Sequence, residues 1–314
     1  MCTPTLYCLL GTQLLTREKI YKYDRLKKHS SRTFADKKFV LVDNIESNHH
    51  FLAIPINKNN ALPTWNGIIL NYGGHEAFNT NEITDKMHNP YFWYIIGRYV
   101  GDGWTRKKYN QGQSYPGGIV ICCVDKDFES LVDAIDKTGY HYVKTKERTT
   151  YRVSIYSKEL YYFVERYSHT AYNKTIDAET MNLPKEHLEM FIKGYLESDG
   201  SFCQNHYKIT TVSPYLAYSI GQCILKTFNT NYRIYFIKRP ETAMIEDRVI
   251  NQRDWYQIVW NQNIDSKEKH TIVDDDYLWY PIKEVEKLSI TDDFYELEFE
   301  KDETVNMFYA LCRN

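Results

Sequence analysis

Two aspartates, Asp102 and Asp199, each stand directly before a glycine at the end of an apolar, helix-like stretch. The stretches are Ile95-Ile96-Gly97-Arg98-Tyr99-Val100-Gly101-Asp102-Gly103 and Ile192-Lys193-Gly194-Tyr195-Leu196-Glu197-Ser198-Asp199-Gly200. A carboxylate at a helix C-terminus faces the negative end of the macrodipole and the last unpaired carbonyls, which costs about 0.3–1 kcal/mol. If the two helices pack in parallel, the carboxylates also converge, and like charges held close raise one pKa or demand a counter-ion. A divalent cation answers both problems. Carboxylate and carbonyl oxygens with open water positions suit Mg2+ or Mn2+, so the expected ligands are Asp102 and Asp199, with Gly101 and Ser198 beside them. A metal held this way can activate water and stabilise the leaving oxygen in phosphodiester cleavage. A single Asp-Gly reads equally well as a helix stop before a turn. Two copies in matched context favour a site.

The surrounding pattern supplies elements to hold such a site. Pro90 and Pro184 each open a helix, as proline at the first turn does. Gly97 and Gly101 are four apart, as are Gly194 and Ser198, so each pair lies on one helix face and two backbones could approach closely there. Gly103 and Gly200 are expected to take the left-handed conformation that stops a helix. Strand-like segments follow in both copies, Gly118 to Val124 and Tyr207 to Val212. Then comes an amphipathic helix, carrying Phe128, Leu131, Val132 and Ile135 in one copy and Leu216, Ile220 and Ile224 after the Ser213-Pro214 cap in the other. Alternating strands follow: Tyr151, Val153 and Ile155; Tyr232, Ile234 and Phe236; then Trp255 to Trp260. The order is helix, two strands, helix, two strands, repeated once.

The bulk numbers bound the partners. A net charge of −2 counts against nucleic-acid binding by the whole surface. The charge is segregated, however: the first forty residues are basic (Arg17, Lys19, Lys22, Arg25, Lys27, Lys28, Arg32, Lys37, Lys38) and the tail from Asp274 is acidic. The seven cysteines are odd in number and form no CxxC pair, which argues against a disulfide framework or structural zinc and for a reducing compartment inside a cell. No apolar run approaches membrane-spanning length, and no secretory signal is expected.

From about residue 86 to 264 the chain resembles the LAGLIDADG (dodecapeptide) homing endonucleases. The two helix ends resemble that family's paired motifs, Phe191 to Phe202 being the closer match. The first copy departs at Gly101, where the family often has Ala, and at Val100, where it often has Asp. The resemblance implies an α+β fold of two pseudo-twofold related αββαββα units. Their antiparallel sheets would form a saddle over the major groove of double-stranded DNA. It also implies a monomer, site-specific double-strand cleavage at a long target, and metal held by the last acidic residue of each motif, Asp102 and Asp199. The family uses a lysine near the scissile phosphates, and Lys174 is assigned that role. Arg106, Lys107, Lys108, Lys144, Lys146, Arg148, Arg233, Lys238 and Arg239 are candidate phosphate or base contacts, against an ordinary polar sheet face or hairpin loop. An RNA maturase or DNA-binding regulator on the same fold would tolerate loss of either aspartate.

Residues 1–85 and 265–314 read as strands and turns, including Lys38 to Val42, Phe51 to Ile56, Tyr277 to Ile282 and Phe294 to Glu300. They resemble the two halves of an all-β Hint-like (intein) domain built from both chain ends. Cys8 stands as the splicing nucleophile and Asn314 as the closing residue that cyclises. Arg313 and Glu303 stand where that family commonly has His, and His29 and His50 are the candidates for its upstream histidine. A chain active only in splicing would need Cys8 and Asn314 but not the motif aspartates.

Overall fold

A computed structural model describes residues 12–26, 28–70, 78–110, 113–167, 170–240, 242–245, 248–261 and 272–287. Its contacts divide the chain into two compact units, Asn57–Ile264 and Thr3–Ile56 with Asp265–Asn314. The fold is mixed α and β with antiparallel sheets. Cys8, Asn314 and the expected strand Phe294 to Glu300 lie outside the described residues.

The unit drawn from both chain ends is a sheet. Strands β1 (Gln13–Asp24), β2 (His29–Phe34), β3 (Lys38–Leu41) and β4 (His50–Pro55) come from its first segment. Strands β17 (Ile272–Val273) and β18 (Tyr277–Pro281) come from the second, and the order is β17-β18-β4-β1-β2 with β3 also on β1. Leu15, Phe51, Ala53 and Trp279 form its core. Arg17 lies over the Trp279 ring and pairs with Asp274, which also accepts the indole N–H.

The other unit begins with the hairpin β5 (Ile68–Leu70) and β6 (Phe78–Thr80) and the short helix α1 (Glu82–Lys86). There follow α2 (Pro90–Asp102), β7 (Gly103–Asn110), β8 (Gln113–Val124), α3 (Asp125–Thr138), β9 (Tyr142–Glu147), β10 (Thr150–Ile155) and α4 (Lys158–Val164). The second succession is α5 (Ala178–Met181), α6 (Lys185–Asp199), β11 (Gly200–Cys203), β12 (His206–Thr211), α7 (Pro214–Phe228) and β13 (Tyr232–Ile237). The hairpin β14 (Thr242–Ile245) and β15 (Arg248–Asn251) intervenes before β16 (Trp255–Trp260). The two four-stranded sheets share one strand order: β7-β8-β10-β9 and β11-β12-β16-β13.

Residues 57–85 belong to this unit, although the sequence reading counts them with the flank. The reason is polar. The buried Glu159 carboxylate on α4 accepts from Trp65 Nε1 (2.6 Å), Thr80 Oγ1 (2.6 Å), Glu82 N (3.0 Å) and Ile83 N (3.2 Å). Asn57 reaches Asn182, and Lys226 donates to the carbonyls of Asn59 and Met181.

Helices α2 and α6 form the centre, and small residues decide how they meet. A Cβ on Gly97 would lie 2.1 Å from the Phe191 carbonyl oxygen, and one on Gly194 2.2 Å from that of Tyr94. Each glycine therefore sits on the carbonyl three residues before the other. Gly101 fits against the Ser198 side chain, whose Cβ would lie 2.2 Å from an added Cβ. Moving along α2 from Gly97 to Gly101 moves the contact along α6 from Phe191 to Ser198, so the helices run in the same direction. Residues Phe92 to Val100 are all buried.

The helix ends differ from expectation in one respect. Gly103 and Gly200 are extended (φ −103° and −118°), not left-handed. The chain passes from the aspartate directly into a strand. Glycine is needed for space: a Cβ would fall 2.5 Å from Tyr99 Cδ2 at Gly103 and 2.4 Å from Leu196 O at Gly200.

Candidate metal centre and nucleic-acid face

Because α2 and α6 are parallel and in matched register, Asp102 and Asp199 close them at the same end. At the start of α2, where Pro90 opens the helix, Asn89 accepts from Tyr91 N (3.0 Å). Lys174 comes to the same place from the segment before α5. Its Nζ donates to the Gly101 carbonyl at 2.7 Å, and its own carbonyl accepts from Ser213 Oγ, the cap of α7 (2.7 Å). Of the expected ligand carbonyls, that of Gly101 is thus already shared with a lysine. The Ser198 hydroxyl donates toward the carbonyls of Arg98 (3.4 Å) and Gly194 (3.3 Å).

The electrostatics follow from burial. Burial pushes the Asp199 carboxyl up to about 6, and the Asp102 charge adds to the rise against the pull of Lys174 and Arg98. Asp102 is raised by burial too, with Arg98 and Lys174 opposing. Burial lowers Lys174, while Asp199 and Asp102 hold it up. Two carboxylates and an amine are therefore held partly out of water and coupled to one another. A cavity of about 40 Å3 bordered by Tyr99, Gly103, Trp104, Tyr167 and Lys174 adjoins the lysine, with room for at least one water, which needs roughly 10–15 Å3.

Two further charged residues of the motif helices, Arg98 and Glu197, have defined partners in the fold. Arg98, 1% exposed, lies one turn before Asp102. Its Nη2 reaches the Cys122 carbonyl (3.5 Å) and its Nη1 lies 4.0 Å from Asp127 on α3, while Nε and Nη1 have no hydrogen-bond partner. In the matching position of α6, Tyr195 donates to the Thr210 carbonyl (3.3 Å). Glu197 accepts from Tyr94 and from Ser130 (3.1 Å), tying α6 to α2 and α3. A charged residue inside an otherwise apolar motif was the available signal for both.

Strand register sorts the basic candidates. Ile121 and Val153 are paired and wholly buried under the helices, so their neighbours along each strand face the other way. Trp104, Arg152 and Ser154 belong to that open face. Arg106 joins them, donating to Tyr156 Oη (3.1 Å) and Ser154 Oγ (3.5 Å). Lys144 and Lys146 pair with Val153 and Tyr151 and so lie on the helix-side face. There Lys144 covers the Phe128 ring and Lys146 pairs with Asp125. Lys107 follows a bulge at Gly117 of the facing strand β8 and is exposed; Lys108 lies in the same strand as Lys107. Arg148 occupies the β9–β10 turn with φ 52°. In the second sheet, Ile209 and Ile258 are paired and buried, which puts Lys208, Thr210, Arg233 and Gln257 on the open face. Lys238 and Arg239 follow β13, with Arg239 over the Trp255 ring.

No protein-family model matches the chain. Over 147 residues, 42% of its length, the chain is 31% identical to a DNA polymerase of Thermococcus hydrothermalis. Over 141 residues, 41% of its length, it is 28% identical to an uncharacterised protein of Methanocaldococcus jannaschii. The matched stretches make up only 8% and 16% of those two proteins. Among solved structures it is similar to the homing endonuclease I-DmoI in complex with DNA and Ca (TM-score 0.41, 18% identity, 55% of this chain and 83% of that one). It is also similar to the N-terminal LAGLIDADG domain of DUF199/WhiA (TM-score 0.33, 12% identity, 57% of this chain and 83% of that one).

Proposed function

We propose that the chain is a divalent-metal-dependent, site-specific endonuclease of the LAGLIDADG type that cuts both strands of duplex DNA. The observation that carries this reading is the convergence of Asp102, Asp199 and Lys174 at the common end of two parallel helices packed backbone to backbone. The reciprocal seating of Gly97 and Gly194, together with the strand order common to the two sheets, supports an approximate twofold relation between the halves. A protein that only bound nucleic acid would have no use for two carboxylates raised by burial, Asp199 further by the charge of Asp102.

The residues fit a hard cation. Among the described residues no group of three or more His, Cys, Asp or Glu side chains could hold a metal. Mg2+ does not require one, since it keeps several waters and takes one or two carboxylates plus substrate phosphate. Asp102 and Asp199 would hold it, with a helix-end carbonyl of Gly101 or Ser198 beside them. The bound cation supplies Lewis acidity and a more acidic water. Lys174 Nζ, lowered by burial and anchored on Gly101, is placed to exchange a proton or to meet a phosphate oxygen. Arg98 supplies a fixed positive charge beneath the carboxylates. The open sheet faces, with Arg106, Arg152, Lys208 and Arg233, would lie along the duplex.

The test is cleavage of a plasmid library of long randomised targets by wild type and Asp199→Asn, with Mg2+ and with EDTA. Metal-dependent cutting at one rare sequence, lost in the variant, is expected. Intact DNA from folded protein under every condition would sink the reading and turn attention to a maturase or regulator.

A second activity in the flanking unit is favoured by one observation: a single sheet and core are assembled from both chain ends, as a splicing domain requires. Fused between two carrier proteins, the chain should yield joined carriers, and Cys8→Ala or Asn314→Ala should not. Carriers that never join would remove splicing from the account.

A further inference from the structure

The flanking unit holds a feature that neither splicing nor the metal centre uses. Strand β1 is paired on one edge with β3 and then β2, but on its other edge with β4 only over Thr16–Glu18. Beyond Lys19 it runs on with β2 as a two-stranded antiparallel ribbon, Ile20↔Thr33 to Asp24↔His29. At about 3.4 Å per residue the ribbon extends roughly 17 Å past the sheet.

Its composition is unlike the rest of the chain. Between Lys19 and Phe34 stand six basic residues (Lys19, Lys22, Arg25, Lys27, Lys28, Arg32) against one acid, Asp24, in a protein whose net charge is −2. Both faces of β1 here meet solvent: Ile20 is 39% exposed, Tyr21 60% and Tyr23 63%. At the tip Leu26 is 97% exposed, with Arg25 and Lys28 also exposed. The Lys19 ammonium lies over the Tyr21 ring at 4.6 Å, so charge and aromatic surface are presented together. A strand as exposed as β1 is here buries too little apolar surface to be explained as core.

We infer that the β1–β2 ribbon is a second DNA-contacting element, which grips duplex DNA through its phosphates and lies in the major groove. That groove, about 12 Å wide, admits a two-stranded β-ribbon. Lys22, Arg25 and Lys28 supply the counter-charge that fixes register on phosphates, and Tyr21 and Tyr23 add hydroxyl donors. A sheet of anionic lipid would call for a continuous apolar face, whereas lysine and arginine interrupt this one at every second or third residue. The choice of duplex DNA as occupant rests on the nuclease reading; the ribbon's affinity for a polyanion does not.

The experiment is equilibrium binding of the full chain to a long fluorescent duplex in EDTA across a salt series. It compares wild type, the triple variant Lys22→Gln/Arg25→Gln/Lys28→Gln and a charge-retaining triple variant (Lys22→Arg/Arg25→Lys/Lys28→Arg). Each phosphate contact contributes about 0.9 to the slope of log affinity against log salt. The glutamine variant should therefore lose about 2–3 from that slope and bind at least roughly tenfold more weakly at low salt. The charge-retaining variant should bind like wild type. An unchanged slope in the glutamine variant would overturn the inference. So would tighter binding, lost in that variant, to single-stranded RNA or to phosphatidylserine vesicles than to the duplex. If wild type binds through the ribbon but never cuts, the nuclease reading fails and the ribbon stands.

Discussion

At the scale of single residues, the chemistry turns on three charges that the fold holds out of water. The raised Asp199 carboxyl has a consequence for stability. Its folded pKa of about 6 lies above its ordinary value of 3.8, so the folded state binds the proton more readily than the unfolded chain. Stability therefore falls as pH rises through this window, and the full penalty is present above about pH 6. In EDTA, the wild-type melting temperature relative to that of Asp199→Asn should drop between pH 4 and 6 and level off above; a flat difference would show that Asp199 is not buried as described. Divalent cation should oppose that drop, because it stabilises the ionised form. Lys174 is the second test. Lys174→Met should slow cutting by at least about 10²-fold, the lower end of a proton-transfer contribution, with the melting temperature within a few degrees of wild type. Equal cutting by the methionine variant would reduce Lys174 to a strut on Gly101.

At the scale of elements, the α2–α6 contact sets the geometry. Gly97 and Gly194 each occupy a space bounded by the partner helix's backbone, so nothing flexible can yield to a methyl group. Gly194→Ala would place a carbon 2.2 Å from the Tyr94 carbonyl oxygen. The helices must then separate, at a cost of about 1–3 kcal/mol by the usual scale of overpacking, and the carboxylates must separate with them. The expected outcome is lower thermal stability and a fall in cutting rate that persists at temperatures where the variant is fully folded. A variant that is destabilised but cuts normally would show that the approach of the two helices does not govern the centre. Gly103 and Gly200 make a related point: they are required by crowding from Tyr99 and Leu196 rather than by a left-handed turn.

At the scale of the whole molecule, the chain comprises two contact units that do not coincide with the division expected from sequence. Residues 57–264 should fold and cut DNA as an isolated fragment, because the ties of Asn57, Asn59, Trp65, Thr80 and Glu82 all lie inside it. A fragment of residues 86–264 should be markedly less stable. It strips all four donors from the buried Glu159 carboxylate, and hydrogen bonds to a charged group are worth about 1.5–3 kcal/mol each. Thermal unfolding of the two fragments checks this, and equal stability would mean that residues 57–85 are dispensable. Among the described residues no helix is long and apolar enough to cross a membrane.

Much of this was written in the sequence because it depends on local spacing. Pro90 and Pro184, Ser213, and the four-residue intervals of Gly97, Gly101, Gly194 and Ser198 mark helix starts and contact faces by rules that act within one or two turns. The strands β10 and β13 announce themselves by alternation, and β8, β12 and β16 as strand-like runs. The meeting of Asp102, Asp199 and Lys174 was legible only as an expectation, since direction of packing is not encoded in either helix alone. Tertiary structure decided what depends on distant partners. It buried Arg98, one of the charges that set the carboxylates' environment, and tied Glu197 to Tyr94 and Ser130. It turned Lys144 and Lys146 to the helix side of their sheet, because a strand's register, and not its composition, decides which face each side chain takes. It bound residues 57–85 to Glu159, a carboxylate whose four donors lie more than seventy residues away in the chain. Periodicity reports which face of an element is apolar; only the assembled fold determines what that face is packed against.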